Sequence, residues 1–171
     1  MPRLFNALGL TLLSFVLSAC STFNYNGYAS DLSAVQPVNL AQNAPATAVI
    51  YFSTDSSREA GLSVHRLLVA THLDGRLLAG ATTATPARGF QALKVPAGVH
   101  SLRWCWLSKN AMGPGSERCG FKADKVEFKA GQRYLVTWSN AKAFEGQATF
   151  VRINSQIENL DTGVVVFRQE Q

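Results

Sequence analysis

Charge and sulfur are both scarce in this chain. Only 16% of its 171 residues are charged, and it holds three cysteines, three histidines and two methionines. So few charges, together with 47% hydrophobic and 10% aromatic residues, exclude a disordered or low-complexity chain. The length instead suits one folded domain with a substantial core.

Motifs that carry catalysis are missing. The sequence has no G-x-S-x-G nucleophile elbow, no H-E-x-x-H zinc motif and no glycine-rich phosphate loop. Its few carboxylates stand mostly in turn segments or beside basic residues, so no acid/base pair in an apolar setting is predicted. We therefore expect a protein that is not an enzyme and needs no cofactor.

Metal ligands are also few. His65 and His72 lie on one predicted strand, but the odd separation of seven residues places them on opposite faces. Only a bulge in that strand would bring both rings to one face. No metal site is predicted.

A long helical period is absent from the chain after residue 44. Short runs rich in β-branched and aromatic residues alternate with turn signals, such as Asp74-Gly75. We expect an all-β, antiparallel β-sandwich or small barrel of about eight strands. The strand-forming runs are 46–52, 64–73, 76–81, 90–95, 99–107, 125–129, 133–138, 147–154 and 164–167, with a turn at 53–57 and one helical turn at 155–160.

The first 19 residues have the pattern of a secretory signal peptide. Arg3 supplies positive charge, residues 4–17 are mostly apolar, and Ser18 and Ala19 are small. The apolar stretch is too short for a spanning helix of about 20 residues. Residues 1–19 are therefore excluded from the expected fold.

Leu17-Ser18-Ala19-Cys20 resembles the lipobox of bacterial lipoproteins. The resemblance implies cleavage before Cys20 and acylation of that residue, and each buried CH₂ of the acyl chains contributes about 0.8 kcal/mol to membrane binding. Ser21 stands where an aspartate favours the inner membrane in enterobacterial lipoproteins, so the implied location is the outer membrane, facing the periplasm. Residues 20–44 would form the lipidated N-terminus and a flexible tether, and residues 45–171 the β-sandwich domain.

With Cys20 assigned to an anchor, Cys105 and Cys119 remain as a pair. In an oxidising compartment a disulfide is the default for such a pair, and closing a loop of about 15 residues contributes roughly 3 kcal/mol. A redox or metal pair is the alternative, but the spacing is not C-x-x-C and no histidine is near. The bond would either cross between neighbouring strands or staple residues 106–118 as a loop able to contact a partner.

Trp104 and Trp106 flank Cys105, and strand alternation places both indoles on one face. Buried tryptophans are common in β-sandwiches, so we expect this face to belong to the core. Binding of a sugar or lipid by the tryptophan pair is the alternative.

The net charge is +5 and falls by one unit without Arg3. Behind a signal peptide nucleic acid is not expected as a partner. Anionic lipid, lipopolysaccharide phosphates or acidic cell-wall polymers are expected instead. A cluster of basic residues would contact these anionic partners, and Asp124 and Glu127 partly neutralise its charge. The cluster consists of Arg118, Lys122, Lys125, Lys129 and Arg133.

Three turn motifs resemble, in their order, PEGA-type domains and a related group of small bacterial lipoproteins. They are Leu73-Asp74-Gly75-Arg76, Val95-Pro96-Ala97-Gly98-Val99-His100-Ser101-Leu102 and Phe128-Lys129-Ala130-Gly131-Gln132-Arg133-Tyr134, within residues 46–139. The last two share an Ala-Gly turn, which two equivalent hairpins would explain. The resemblance implies an immunoglobulin- or transthyretin-like sandwich that acts as a non-catalytic structural or binding module of the cell envelope. The alternatives are an assembly subunit of a secretion or efflux machine, with an envelope protein as partner, or a periplasmic inhibitor or ligand-binding lipoprotein.

Overall fold

The computed structural model of the chain describes residues 31–59, 61–110, 113–145 and 148–169. These ranges contain eleven strands in two sheets, which confirms the predicted all-β class. The strands are β1 (Val38–Asn39), β2 (Thr47–Phe52), β3 (Thr54–Glu59), β4 (Leu62–Leu73), β5 (Arg76–Leu77), β6 (Ala92–Pro96), β7 (Gly98–Asn110), β8 (Gly113–Phe128), β9 (Arg133–Glu145), β10 (Ala148–Asn159) and β11 (Val165–Gln169). A 3₁₀ turn at Leu32–Ala34 is the helical element of the described ranges, and no helix in them could span a membrane.

One sheet has six strands in the order β1-β6-β2-β9-β10-β11. The other has the order β3-β4-β7-β8, with β5 paired to β4. Most neighbours are antiparallel, but β1 pairs with β6 and β2 pairs with β9 in parallel. The pairing of β1 with β6 brings Val38 and Asn39 into the six-stranded sheet, although both residues lie in the predicted tether.

The main core lies between the sheets and follows from strand alternation. In β2, every second residue is buried, so Phe52 and its alternate neighbours face inward. Trp104 is fully buried, which confirms the predicted core face, and its ring stacks on that of Phe121 at 6.2 Å. Phe128 and Tyr134 meet edge to face at 4.9 Å between their centroids.

A second apolar cluster covers the outer face of the five-stranded sheet. Its members are Leu67, Val69, Ala87, Cys105 and Leu107, with Cys119 packed against them. Ala87 comes from the segment between β5 and β6, and its N–H donates to Glu117 Oε2 at 3.0 Å. A Cβ on Gly89 would lie 2.2 Å from the carbonyl oxygen of Ala70, so this approach requires glycine. The sheet is therefore buried on both faces around Cys105.

The prediction that residues 106–118 form a loop is wrong. Ser108 pairs with Ser116 and Asn110 with Gly113, so this segment continues β7 and β8 as a hairpin. A Cβ on Gly115 would lie 1.8 Å from the carbonyl oxygen of Ser108, so glycine serves close strand approach here instead of a loop.

Two other local predictions are also wrong. The segment at 53–57 belongs largely to β3, because Asp55, Ser57 and Glu59 share a face and all bond to Arg66 on β4. The predicted helical turn at 155–160 is the end of β10, which pairs with β9 as far as Asn159. In both places pairing with a neighbouring strand overrides local composition.

The predicted turns have two different structures. Asp74 and Gly75 have φ angles of 50° and 76° and join β4 to β5 as the predicted two-residue hairpin. The turns at 96–98 and 129–132 are not hairpins, because β6 and β7, like β8 and β9, belong to different sheets. Both lie beside the start of β2, where Ala97 N–H donates to Ala46 O and Gly131 N–H donates to Thr47 O.

Candidate functional site

The two sides of the sandwich are built differently. On one side, Ser53 N–H donates to Val136 O at 3.0 Å and Ser53 O accepts from Leu68 N–H at 2.9 Å, which joins the sheets where β2 becomes β3. Phe90, in the segment just before β6, and Ala70, on β4, are joined by two further main-chain hydrogen bonds. On the other side lie the edge strands β8 and β11, and no strand pairing joins them within the described ranges.

Between β8 and β11 lies a groove with a volume of about 490 Å³, here called the edge groove. Residues 124–127 of β8 and Lys129, which follows that strand, line one side, and Val164, Val166 and Phe167 line the other from β11 and the turn before it. Gln132, Tyr134, Asn159 and Thr162 complete its lining. Beyond the groove, Lys122 N–H donates to Gln169 Oε1 at 3.1 Å and bridges the two edges.

The polar residues of the edge groove are held by hydrogen bonds. Tyr134 is 1% exposed, and its hydroxyl accepts from Lys129 N–H at 2.8 Å and donates to Gln132 Oε1 at 3.3 Å. Asn159 donates to the same Gln132 oxygen, while its own Oδ1 accepts the N–H groups of Asp161 and Thr162. These buried groups are satisfied, so this part of the groove is preorganised.

The structure separates the five predicted basic residues. All five are exposed, but Lys122 Nζ lies 3.1 Å from Asp124 Oδ2, and Arg133 contacts Asp161 through Nε at 3.0 Å and Nη2 at 2.7 Å. The side-chain hydrogen bond from Arg133 lowers the pKa of Asp161, and the bond from Arg133 N–H lowers it further. Arg118 pairs with Trp106 farther along β8 and does not line the groove.

Lys125 and Lys129 are the two members of the predicted cluster that line the edge groove. Neither has an ion-pair partner within the part of the chain that the structure describes. Lys125 lies where β8 bulges against β7, and its φ of 57° is left-handed. Its N–H donates to Ser101 Oγ at 3.3 Å, which supports that conformation.

The apolar wall of the groove was missed from the sequence. Val164 is 56% exposed and Val166 is 40% exposed, although the run was predicted as an ordinary strand. A signal was present, because residues 164–167 are four consecutive apolar residues. A strand alternates its faces, so such a run at a sheet edge must expose some of them.

Of the predicted cysteine roles, the disulfide is confirmed. Cys105 and Cys119 face each other on β7 and β8 with an S–S distance of 2.01 Å. The bond lies in the second apolar cluster, where Cys105 is fully buried. Cys20, the predicted lipid attachment site, lies outside the described residues.

The three histidines occupy separate places. The prediction of opposite faces for His65 and His72 is wrong, because a bulge between Ala70 and His72 shifts the register of β4. The two pair with Lys109 and Arg103 on one face of β7, but six residues of strand, about 20 Å, keep them apart. Burial, followed by repulsion from Arg103, lowers the pKa of His72. Within the described ranges no group of three potential metal ligands occurs.

His100 connects two turns. Its Nδ1 lies 2.7 Å from Asp74 Oδ2, and its Nε2 donates to Pro96 O at 2.9 Å. Asp74 Oδ1 also accepts from Ser101 N–H at 2.9 Å. This histidine therefore ties the Asp74-Gly75 hairpin to the turn between the sheets.

Comparison with known proteins yields no relative: no family model, curated protein or solved structure matches the chain. The functional argument therefore depends on the chain's own residues. Among these, the edge groove combines exposed apolar surface, terminal strands of two sheets, and two lysines that have no ion-pair partner among the described residues.

Proposed function

We propose that the protein is an outer-membrane lipoprotein, anchored through Cys20, that acts as a non-catalytic binding module facing the periplasm. The observation that carries this proposal is the Cys105–Cys119 bond, because disulfides persist in oxidising compartments and are rare in the cytosol. The signal-peptide pattern of residues 1–19 and the lipobox-like residues 17–20 also support export to such a compartment.

The proposal includes the fold family. We assign the two sheets to an immunoglobulin- or transthyretin-like sandwich of the PEGA type. In support, each of the three motifs that carry the resemblance forms a turn between consecutive strands. His100 also bonds to the backbone of Pro96 within the second motif.

Intact-mass analysis of the membrane fraction tests the anchor. We expect cleavage before Cys20, an added acyl mass, and two hydrogens fewer than a protein with reduced Cys105 and Cys119. A Cys20→Ala variant should lack the acyl mass and leave the membrane fraction. A full-length, unacylated wild-type protein would refute the proposed anchor.

The proposed ligand of the basic cluster is an anionic envelope component: anionic lipid, lipopolysaccharide phosphate or a wall polymer. Lys122 and Lys125 on the edge strand β8 and Lys129 directly after it are exposed, which supports this proposal. Replacing the three with glutamate should weaken binding to anionic vesicles, with the exposed Arg76→Glu as a control for general charge. Unchanged vesicle binding in the triple variant would refute the lipid form of the proposal.

A protein partner, as in the assembly subunit of an envelope machine, is the second candidate function. The edge groove favours it, because exposed valines beside free strand edges are typical of protein contacts. Crosslinking in intact cells separates the two candidates: one stoichiometric protein adduct favours a machine, and adducts to wall or lipid favour the envelope module. Cleavage of envelope substrates by the purified protein would refute both.

A further inference from the structure

We propose that the edge groove binds an extended segment of another protein in which acidic and apolar residues alternate. The backbone of the segment adds to the free edge of β11, and its carboxylates lie beside Lys125 and Lys129. The inference goes beyond placement in the envelope, because it specifies the chemistry of the partner and does not depend on acylation of Cys20.

The edges of the groove favour an extended backbone as the occupant. β8 and β11 are terminal strands of different sheets, and β11 has no strand partner on its outer edge within the described ranges. Adding a strand to such an edge is a recurring mode of peptide recognition, in which backbone hydrogen bonds supply affinity and side chains supply specificity.

The side chains along the groove favour a strand with apolar residues at alternate positions. Val126 is 5% exposed and Phe167 packs against the main core, so both belong to the interior and the accessible apolar surface lies elsewhere in the groove. Val164 and Val166 add exposed apolar surface on the β11 side. Because strand side chains alternate in direction, the apolar set of the segment would lie on the face of Val164 and Val166, while the other set would point across the groove toward β8.

The charges of the groove favour acidic residues at the remaining positions. Asp124 is compensated by Lys122, and Arg133 is compensated by Asp161. Of the charged residues that line the groove, this leaves the ammonium groups of Lys125 and Lys129 against the carboxylate of Glu127. The excess positive charge attracts a carboxylate-bearing segment and disfavours a second copy of this edge, which would bring its own two lysines.

The test measures peptide binding by the full-length protein in detergent. The probes are two labelled decapeptides, one alternating valine with glutamate and one alternating valine with lysine. We expect binding of the acidic peptide only, and a loss of affinity of at least about tenfold in Val166→Asp and in the double variant Lys125→Glu/Lys129→Glu. Leu77→Asp changes an apolar residue on β5 that is 53% exposed, more than Val166, and should bind as the wild type does.

A second measurement reports the backbone directly. Strand addition should slow amide hydrogen exchange along β11 when the acidic peptide binds, whereas contacts through side chains alone would leave that exchange unchanged. Equal binding of both peptides, unchanged exchange along β11, or wild-type affinity in Val166→Asp would each overturn the proposal. A groove that serves a membrane surface would give loss of vesicle binding in Val166→Asp without binding of either peptide, and that result would also overturn it.

Discussion

The closed and open sides of this sandwich are both built from β-strands, but the main-chain groups of those strands are used differently on the two sides. On the closed side, Ser53, Phe90 and their partners on β4 and β9 join the sheets by main-chain hydrogen bonds. On the open side, no strand pairing joins β8 to β11 within the described ranges, and the side chain of Gln169 bonds to the backbone of Lys122. Backbone groups used within the closed side are unavailable to a partner, while the outer edge of β11 has no strand partner in the part of the chain that the structure describes.

The largest expected effect comes from breaking the closed side. Gly89→Ala should lower the free energy of unfolding by about 3 kcal/mol, because the new Cβ would overlap the carbonyl oxygen of Ala70. Ala84→Val adds two methyl groups to the same segment at an exposed position and should change stability little. Urea unfolding of both variants measures the difference, and equal stability would show that the segment moves away without cost.

Removing the disulfide should have the next largest effect. Replacing both Cys105 and Cys119 with alanine removes a cross-link between residues 14 apart in sequence. It should lower the free energy of unfolding by roughly 3 kcal/mol. The bond lies on the outer face of the sheet, away from the edge groove, so peptide binding should persist under conditions where the variant stays folded. Loss of that binding in a folded variant would contradict the separation of the two regions.

A smaller effect is expected within the open side. Tyr134→Phe removes the hydroxyl that accepts from Lys129 N–H and donates to Gln132, and it should cost about 1 kcal/mol. Phenylalanine keeps the edge-to-face packing on Phe128, so the core should stay intact. Thermal unfolding, with near-UV circular dichroism as the check on packing, distinguishes this from a larger rearrangement of the groove.

The smallest expected effect is the pH dependence from Asp161. Its pKa lies below the ordinary value of 3.8 in the folded protein, so its contribution to stability is present above that pH and is lost as the pH falls further. Asp161→Asn should therefore flatten the stability curve below about pH 4 while neutral stability falls only slightly. An unchanged curve between pH 5 and pH 2 would show that the pair with Arg133 contributes nothing measurable.

Local patterns predicted the parts of the fold that depend on neighbouring residues in the chain. The sequence could predict the alternation of β2, the Asp74-Gly75 hairpin and the inward face of Trp104, because period-two burial and left-handed turn residues are local properties. The hairpin at 106–118 could not be predicted locally, because Gly115, which looks like a loop residue, lets β8 approach β7.

The candidate site was predicted in part. The basic cluster was found from composition, but Lys122 and Arg133 turned out to be paired with Asp124 and Asp161. Arg133 and Asp161 are far apart in sequence, so only the fold could show that their charges cancel. The groove itself was missed, because nothing local indicates that β8 and β11 become facing edges of different sheets.

The sequence by itself determined the strand-forming character of the chain, its cysteine pair and the residues that resemble a lipid anchor. Tertiary structure decided which strands became edges, which basic residues were paired with carboxylates and where the exposed valines lie. The physical reason is that hydrogen bonds between strands and cancellation of charge depend on contacts between distant residues. A period-two pattern specifies that a strand has two faces, but it does not specify what lies beside its edge.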